Sequence, residues 1–107
     1  METNTLSTQK GLEIDTLLLR KGALRIRAIN HKLRQQMLHI IFKNGKITVT
    51  ELYTKMRLEQ SVASQHLAIL RTGGFVDTYR DGKYIYYSVN VTSVQEVQEK
   101  IKTLVKS

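Results

Sequence analysis

Apolar positions recur at helical spacing along most of this chain and give way, in its C-terminal third, to two short runs of strand-forming residues. Ile14, Leu17, Leu18, Leu24 and Ile26 mark a helix from Leu12 to about Ala28, interrupted at Gly22. Leu33, Met37, Ile40 and Ile41 mark a second from His31 to Lys43, which Asn44 and Gly45 stop. Thr48 and Glu51 are spaced as a capping box, so a short third helix starts there, turns Leu52 and Met56 inward and ends near Arg57. A tight connection at Leu58 and Glu59 leads to a fourth helix, Gln60 to Thr72, closed by Gly73 and Gly74, both expected to supply positive backbone dihedrals. Phe75 to Arg80 and Lys83 to Val89 read as strands joined by the two-residue turn Asp81 and Gly82, with Val76, Ile85 and Tyr87 on the core-facing side. Ser93 to Lys106 carries Val94, Val97, Ile101 and Leu104 or Val105 on one side, an amphipathic last helix. Residues 1–10 are polar and without period, the pattern of a frayed arm.

Helix, helix, short helix, tight turn, helix, hairpin, helix is the order of a winged helix-turn-helix. The expected fold is therefore mainly α with a small β-hairpin: about five helices and a two-stranded wing, one domain over residues 1–107. In that architecture the helix after the turn enters the DNA major groove. Val62, Ala63, His66, Leu67 and Leu70 cluster on one face of Gln60 to Thr72, and Ser61, Ser64, Gln65 and Ala68 on the other. Small polar residues line many solvated helix faces, but between a turn and a hairpin they let a helix sit deep in the groove, where Gln65 can bond bidentately to an adenine edge. The recognition set is Gln60, Ser61, Ser64, Gln65 and His66. At the edge of the buried face, His66 also reads as a hydrogen-bonded structural histidine.

Charge sharpens this reading. Seventeen Lys and Arg against nine Asp and Glu give a formal net charge of +8. The excess lies between Arg20 and Lys83 rather than on a tail, which suits a polyanion such as double-stranded DNA. Arg80 and Lys83 flank the expected turn and should project together from the wing tip, and Lys46, Lys55, Arg57 and Arg71 surround the helix-turn-helix as backbone contacts. Of the five tyrosines, four fall on the hairpin, where packing accounts for them better than stacking on single-stranded bases. The chain has no cysteine, which excludes disulfides, thiolate metal sites and thiol redox sensing. No apolar run is long enough to cross a membrane and residues 1–10 lack a signal-peptide core, an expectation of cytoplasmic residence. No nucleophile and base pair, carboxylate dyad or phosphate loop is legible, so neither an enzyme nor a cofactor is expected.

The run Ser61, Val62, Ala63, Ser64, Gln65, His66, Leu67, with Leu70, Arg71 and then Gly74, Phe75, Val76, resembles the arsenic-repressor (ArsR/SmtB) family, whose pattern there is roughly Ser-x-x-Ser-x-His-Leu-x-x-Leu-x-x-x-Gly-Leu-Val. The stretch Arg80 to Tyr87 resembles that family's wing, and Leu33 with Arg34 its second helix; together these cover about two thirds of the chain. The resemblance implies a dimeric operator-binding repressor with dimer contacts from the first and last helices, here residues 12–28 and 93–106. Ile14, Leu17, Leu18, Val97, Ile101 and Leu104 are the apolar residues in those helices that need burial, between subunits or within one. The family's metal sites are where the sequence departs. Val49 stands where a Cys-x-Cys type ligand pair belongs, the last helix holds no histidine, and His31, His39 and His66 have no zinc-ligand spacing. Glu59 replaces the usual Ser or Asp cap of the recognition helix. The expected function is a sequence-specific regulator, a homodimeric repressor responsive to neither metal nor thiol chemistry, its effector open. The alternative is a winged-helix protein-interaction module.

Overall fold

A computed structural model describes residues 11–106, so the frayed arm expected over residues 1–10 lies outside the described residues. The elements follow in the order α1 (Thr16–Ile29), α2 (Lys32–Asn44), β1 (Ile47–Thr48), α3 (Val49–Met56), α4 (Gln60–Thr72), β2 (Val76–Asp81), β3 (Tyr84–Val89) and α5 (Val91–Lys106). This is the winged helix-turn-helix that the periodicity predicts. Its sheet has three antiparallel strands in the order β1, β3, β2, because Ile47 and Thr48 pair with Tyr87 and Tyr86. Two residues make too weak a pattern to read as a strand from sequence.

Local chemistry sets the helix ends. Asp15 caps α1, accepting from the Leu18 amide at 3.0 Å, so the helix begins four residues after Leu12 and runs unbroken through Gly22. His31 caps α2 through Nδ1, which accepts from the Leu33 amide at 3.1 Å and the Arg34 amide at 3.4 Å. The capping box of α3 forms as expected. The Glu51 amide donates to Thr48 Oγ1 at 3.2 Å, the Thr48 amide donates to Glu51 Oε1 at 3.0 Å, and these bonds hold the Glu51 carboxyl below its ordinary pKa. After α4, only Gly74 takes a positive φ, of 84°. Gly73 stays right-handed and serves another purpose: a Cβ there would meet the Phe75 ring at 3.0 Å and the Ala28 Cβ at 3.2 Å.

Met37 and Ile41 of α2, Ile47 of β1, Leu52 of α3, Leu67 and Leu70 of α4, and Phe75 with Val76 leading into β2 are fully buried together. α2 and α4 each contribute a stripe to this core, as the 3.6-residue period requires, while α1 buries only Ala28 and α3 only Leu52. Val97 of α5 joins it and Ile101 packs against it, so two of the six candidate dimer residues already serve their own subunit.

The hairpin departs from expectation in its turn. Asp81 stays in the strand opposite Tyr84, leaving Gly82 and Lys83 as the loop, with Gly82 at φ 64°. A left-handed glycine at the first loop position is the type II′ arrangement, where Asp-Gly had suggested type I′. Arg80 consequently faces Ile85, and Lys83 sits in the loop itself, so the two are not a cross-strand pair. Ile85 shares a face with Val76 and Tyr87, but the hairpin has left the core by then and Ile85 is exposed.

Candidate nucleic-acid interface

The α4 helix is held by its apolar face and offers the other to solvent. Ala63, Leu67 and Leu70 are buried, Val62 and His66 half-buried, and Gln60, Ser61, Ser64, Gln65 and Ala68 exposed. The wheel drawn from sequence and the observed burial thus agree residue by residue. A surface of two serines, an alanine and two glutamines is low enough for the helix backbone to approach base edges closely.

The turn before α4 is built by Arg57, the one non-glycine residue with positive φ among those described, at 56°. Its left-handed conformation lets the Leu58 amide donate to the Tyr53 carbonyl at 2.9 Å and swings the chain from α3 into α4. Glu59 is the N-cap residue of α4 but makes no side-chain cap bond. Asp has the length to cap and keeps the charge that complements the helix dipole. Glu59→Asp is therefore expected to raise stability by about 0.5–1 kcal/mol, read from urea unfolding midpoints. An unchanged midpoint would mean that water already satisfies the first-turn amides.

The wing carries an aromatic outer face. The Tyr79 and Tyr86 rings stack with centroids 5.6 Å apart, and Tyr84 leans on Tyr86 at 6.5 Å. Lys46, just before β1, lies over both stacked rings, its Nζ 4.8 Å from the Tyr86 centroid and 5.2 Å from that of Tyr79. Interaction with Tyr79 holds the Lys46 ammonium above its ordinary pKa. Lys83 Nζ lies 5.5 Å from the Tyr84 centroid. Tyr53 and Tyr87 pack against the core instead, so core packing accounts for two of the five tyrosines, while Tyr79 and Tyr84 stay exposed. Lys55, Arg57, Arg71 and Arg80 are exposed, on α3, the turn, the end of α4 and the wing.

Sequence reasoning passed over Arg34 as a working residue. It is the one charged side chain buried among the described residues, at 6% exposure, and its Nη1 lies 3.1 Å from His66 Nδ1. The signal was present: Arg34, Met37, Leu38 and Ile41 form one helical stripe, and a charge in a core stripe implies a dedicated partner.

A profile described as bacterial regulatory protein, arsR family, matches residues 31–78, from the cap of α2 into β2. The chain is 32% identical over 84 residues to the transcriptional activator HlyU of Vibrio cholerae, covering 78% of this chain and 77% of that protein. The chain belongs to the arsR family. As a member it is a DNA-binding transcriptional regulator. It is also 29% identical to the transcriptional repressor PagR of Bacillus anthracis, over 79% of this chain and 85% of that one. The crystal structure of NolR from Sinorhizobium fredii superposes with a TM-score of 0.68 at 30% identity, covering 97% of the regulator and 96% of NolR. Among the described residues of the regulator, no three His, Cys, Asp or Glu are placed to hold a metal ion, and no helix is long and apolar enough to cross a membrane.

Proposed function

We propose that this regulator works as a homodimeric repressor, reading a palindromic site with Ser61, Ser64 and Gln65 while Gln60, His66 and the cations of turn and wing fix its position. The observation that carries the reading is the exposed face of α4, small and polar and flanked by Arg57 of the turn and by Arg80 and Lys83 of the wing. Lys46, Lys55, Arg57, Arg71, Arg80 and Lys83 supply the phosphate contacts, which position the protein without reading sequence.

The dimer has separate support. Leu18 is 65% exposed, Leu104 71% and Val105 75%, with Leu19 and Leu24 also bare on α1. Solvated apolar surface of that extent marks an interaction face. The Cα radius of gyration is 17.1 Å, against about 13 Å for a compact chain of this length, so the subunit is drawn out as half of a larger body would be. Ile14, Leu17, Leu18 and Leu104, with Leu19, Leu24 and Val105 added, form the proposed interface, and Val97 and Ile101 support it from beneath. A dimer of this kind reads half-sites about one helical turn of DNA apart. With no cysteine in the chain, release by thiol oxidation has no site.

The test is fluorescence anisotropy with DNA from upstream of the regulator's own gene and with a shuffled duplex, across a salt series. Tight selective binding with a steep salt slope is expected for the native protein. Leu18→Glu should give a monomer by sedimentation velocity and weaken operator binding by about 100-fold or more, because each half-site then binds alone. Equal weak binding to both duplexes would remove the operator-repressor reading, and a Leu18→Glu protein that stays dimeric would move the interface away from α1.

A further inference from the structure

Arg34 has three acceptors, all neutral. Its Nε donates to the Ala28 carbonyl at 2.6 Å, its Nη2 to the Arg27 carbonyl at 3.0 Å, and its Nη1 meets His66 Nδ1 at 3.1 Å. The two carbonyls end α1, where the helix dipole is negative, so the last turn of α1 takes the place of a counter-ion. A buried guanidinium depends on those bonds, because without them its desolvation is uncompensated.

The third bond has only one sense. Arginine has donors and no acceptor and keeps its proton in proteins, so His66 Nδ1 accepts and the proton of the neutral ring sits on Nε2. A second proton would put an N–H at Nδ1, facing the guanidinium at that same distance, replacing a hydrogen bond with repulsion. The His31 ring stands 5.0 Å from that of His66, its own Nδ1 occupied by the backbone amides of Leu33 and Arg34. One cluster therefore ties the end of α1, the start of α2 and the middle of α4. Nearby, Arg25 Nε donates to the Gly73 carbonyl at 2.9 Å, a second tether between α1 and the end of α4.

We propose that Arg34 and His66 are positioning residues for DNA binding: neutral His66 seats the recognition helix on the corner between α1 and α2, and a second proton on its ring unseats it. The proposal goes beyond the assignment of His66 as a DNA contact, although it rests on α4 being the DNA-reading helix. Burial first, then the charges of His31 and Arg34, lower the His66 pKa from the ordinary 6.5, and α1, α3 and β2, which also pack on α4, add no further cause. The sign follows. A histidine whose folded pKa is lowered disfavours the proton in the native state, so its contribution is complete above the ordinary value and is lost as pH falls through the lowered one. The expected effect on DNA binding runs against the usual direction, since protonating a histidine near DNA adds a cation and strengthens binding.

The experiment uses a fluorescein-labelled duplex enriched by the full-length protein from a random pool at about pH 7.5. Affinity is then measured from about pH 7.5 to 5.5 at fixed ionic strength for the native protein and for His66→Asn, whose amide oxygen can accept from Arg34 but does not titrate. The native protein is expected to lose affinity by about 3- to 10-fold relative to His66→Asn across that interval, the proton linkage of a single group. Equal slopes would overturn the proposal. Nitrogen-15 NMR of the native protein gives a second readout that needs no variant: protonated Nε2, bare Nδ1 and a midpoint below 6.5 are expected, and a ring protonated at Nδ1 at neutral pH overturns the proposal. Failure to enrich any duplex would remove the DNA-reading role of α4 and the positioning role with it, an outcome distinct from equal slopes, which remove the positioning role alone.

Discussion

Phe75→Ala is expected to destabilise the protein by about 3–5 kcal/mol, which is a large part of the 5–15 kcal/mol that holds a domain folded. The ring is fully buried where α1, α4 and the sheet meet. Gly73 has no side chain because the ring occupies that space, and the Arg25 guanidinium lies 5.3 Å from the ring centroid. The backbone of Phe75 is tied on both sides: its amide donates to the Leu70 carbonyl and its carbonyl accepts from the Asn90 amide, each at 2.9 Å. Those bonds keep the neighbouring backbone from collapsing into the hole, so the cavity term should approach its full size. Phe75→Leu keeps most of the volume and should cost about 1 kcal/mol. Urea unfolding at one fixed protein concentration measures both, since association shifts the midpoint by mass action. A loss within 1 kcal/mol for Phe75→Ala would mean that the site closes over or that the ring is not packed as described.

The recognition helix was legible almost to the residue, because its start follows a cap position, its stop precedes two glycines, and its two faces differ sharply in polarity. The hairpin was legible as an element but not in its turn, and the reason is geometric. Moving the loop from Asp81 and Gly82 to Gly82 and Lys83 shifts the pairing of the two strands by two residues, which leaves every side chain on the face it had before. Alternation of apolar and polar residues cannot distinguish those registers. What separates them is long-range: the Val76 and Val89 pair at the base of the hairpin, and β1 alongside Tyr86 and Tyr87. The stripe of α2 signalled a buried charge at Arg34, but its partners were hidden for a related reason. Its acceptors are backbone carbonyls of another helix and a histidine 32 residues away, and no sequence pattern marks a carbonyl as free to accept.

Gln65→Ala and Arg80→Ala are expected to separate the reading of sequence from the holding of DNA. Gln65 is exposed on α4, next to Ser64, one turn on from Ser61 and one turn before the exposed Ile69, with its amide open to a base edge. A glutamine amide there can donate to and accept from one adenine edge at once. Truncation should remove about 1–3 kcal/mol of discrimination at one base pair of each half-site, roughly 10- to 100-fold. Because Gln65 is neutral, the slope of affinity against salt should not move. Arg80 is the opposite case, an exposed cation on the wing opposite Ile85 with no counter-charge among its strand partners. Its loss should weaken all duplexes alike and reduce the salt slope by about one unit per subunit. Anisotropy on the preferred site and a panel of single-position mismatches, at two or more salt concentrations, measures both quantities in one experiment. If Gln65→Ala left the ranking of mismatched sites intact, base reading would pass to Ser61, Ser64 and Gln60, and the α4 helix would be docked with a different rotation in the groove. If Arg80→Ala altered the ranking instead of the slope, the wing would be entering the minor groove and reading its width, with Arg80 contributing to sequence recognition.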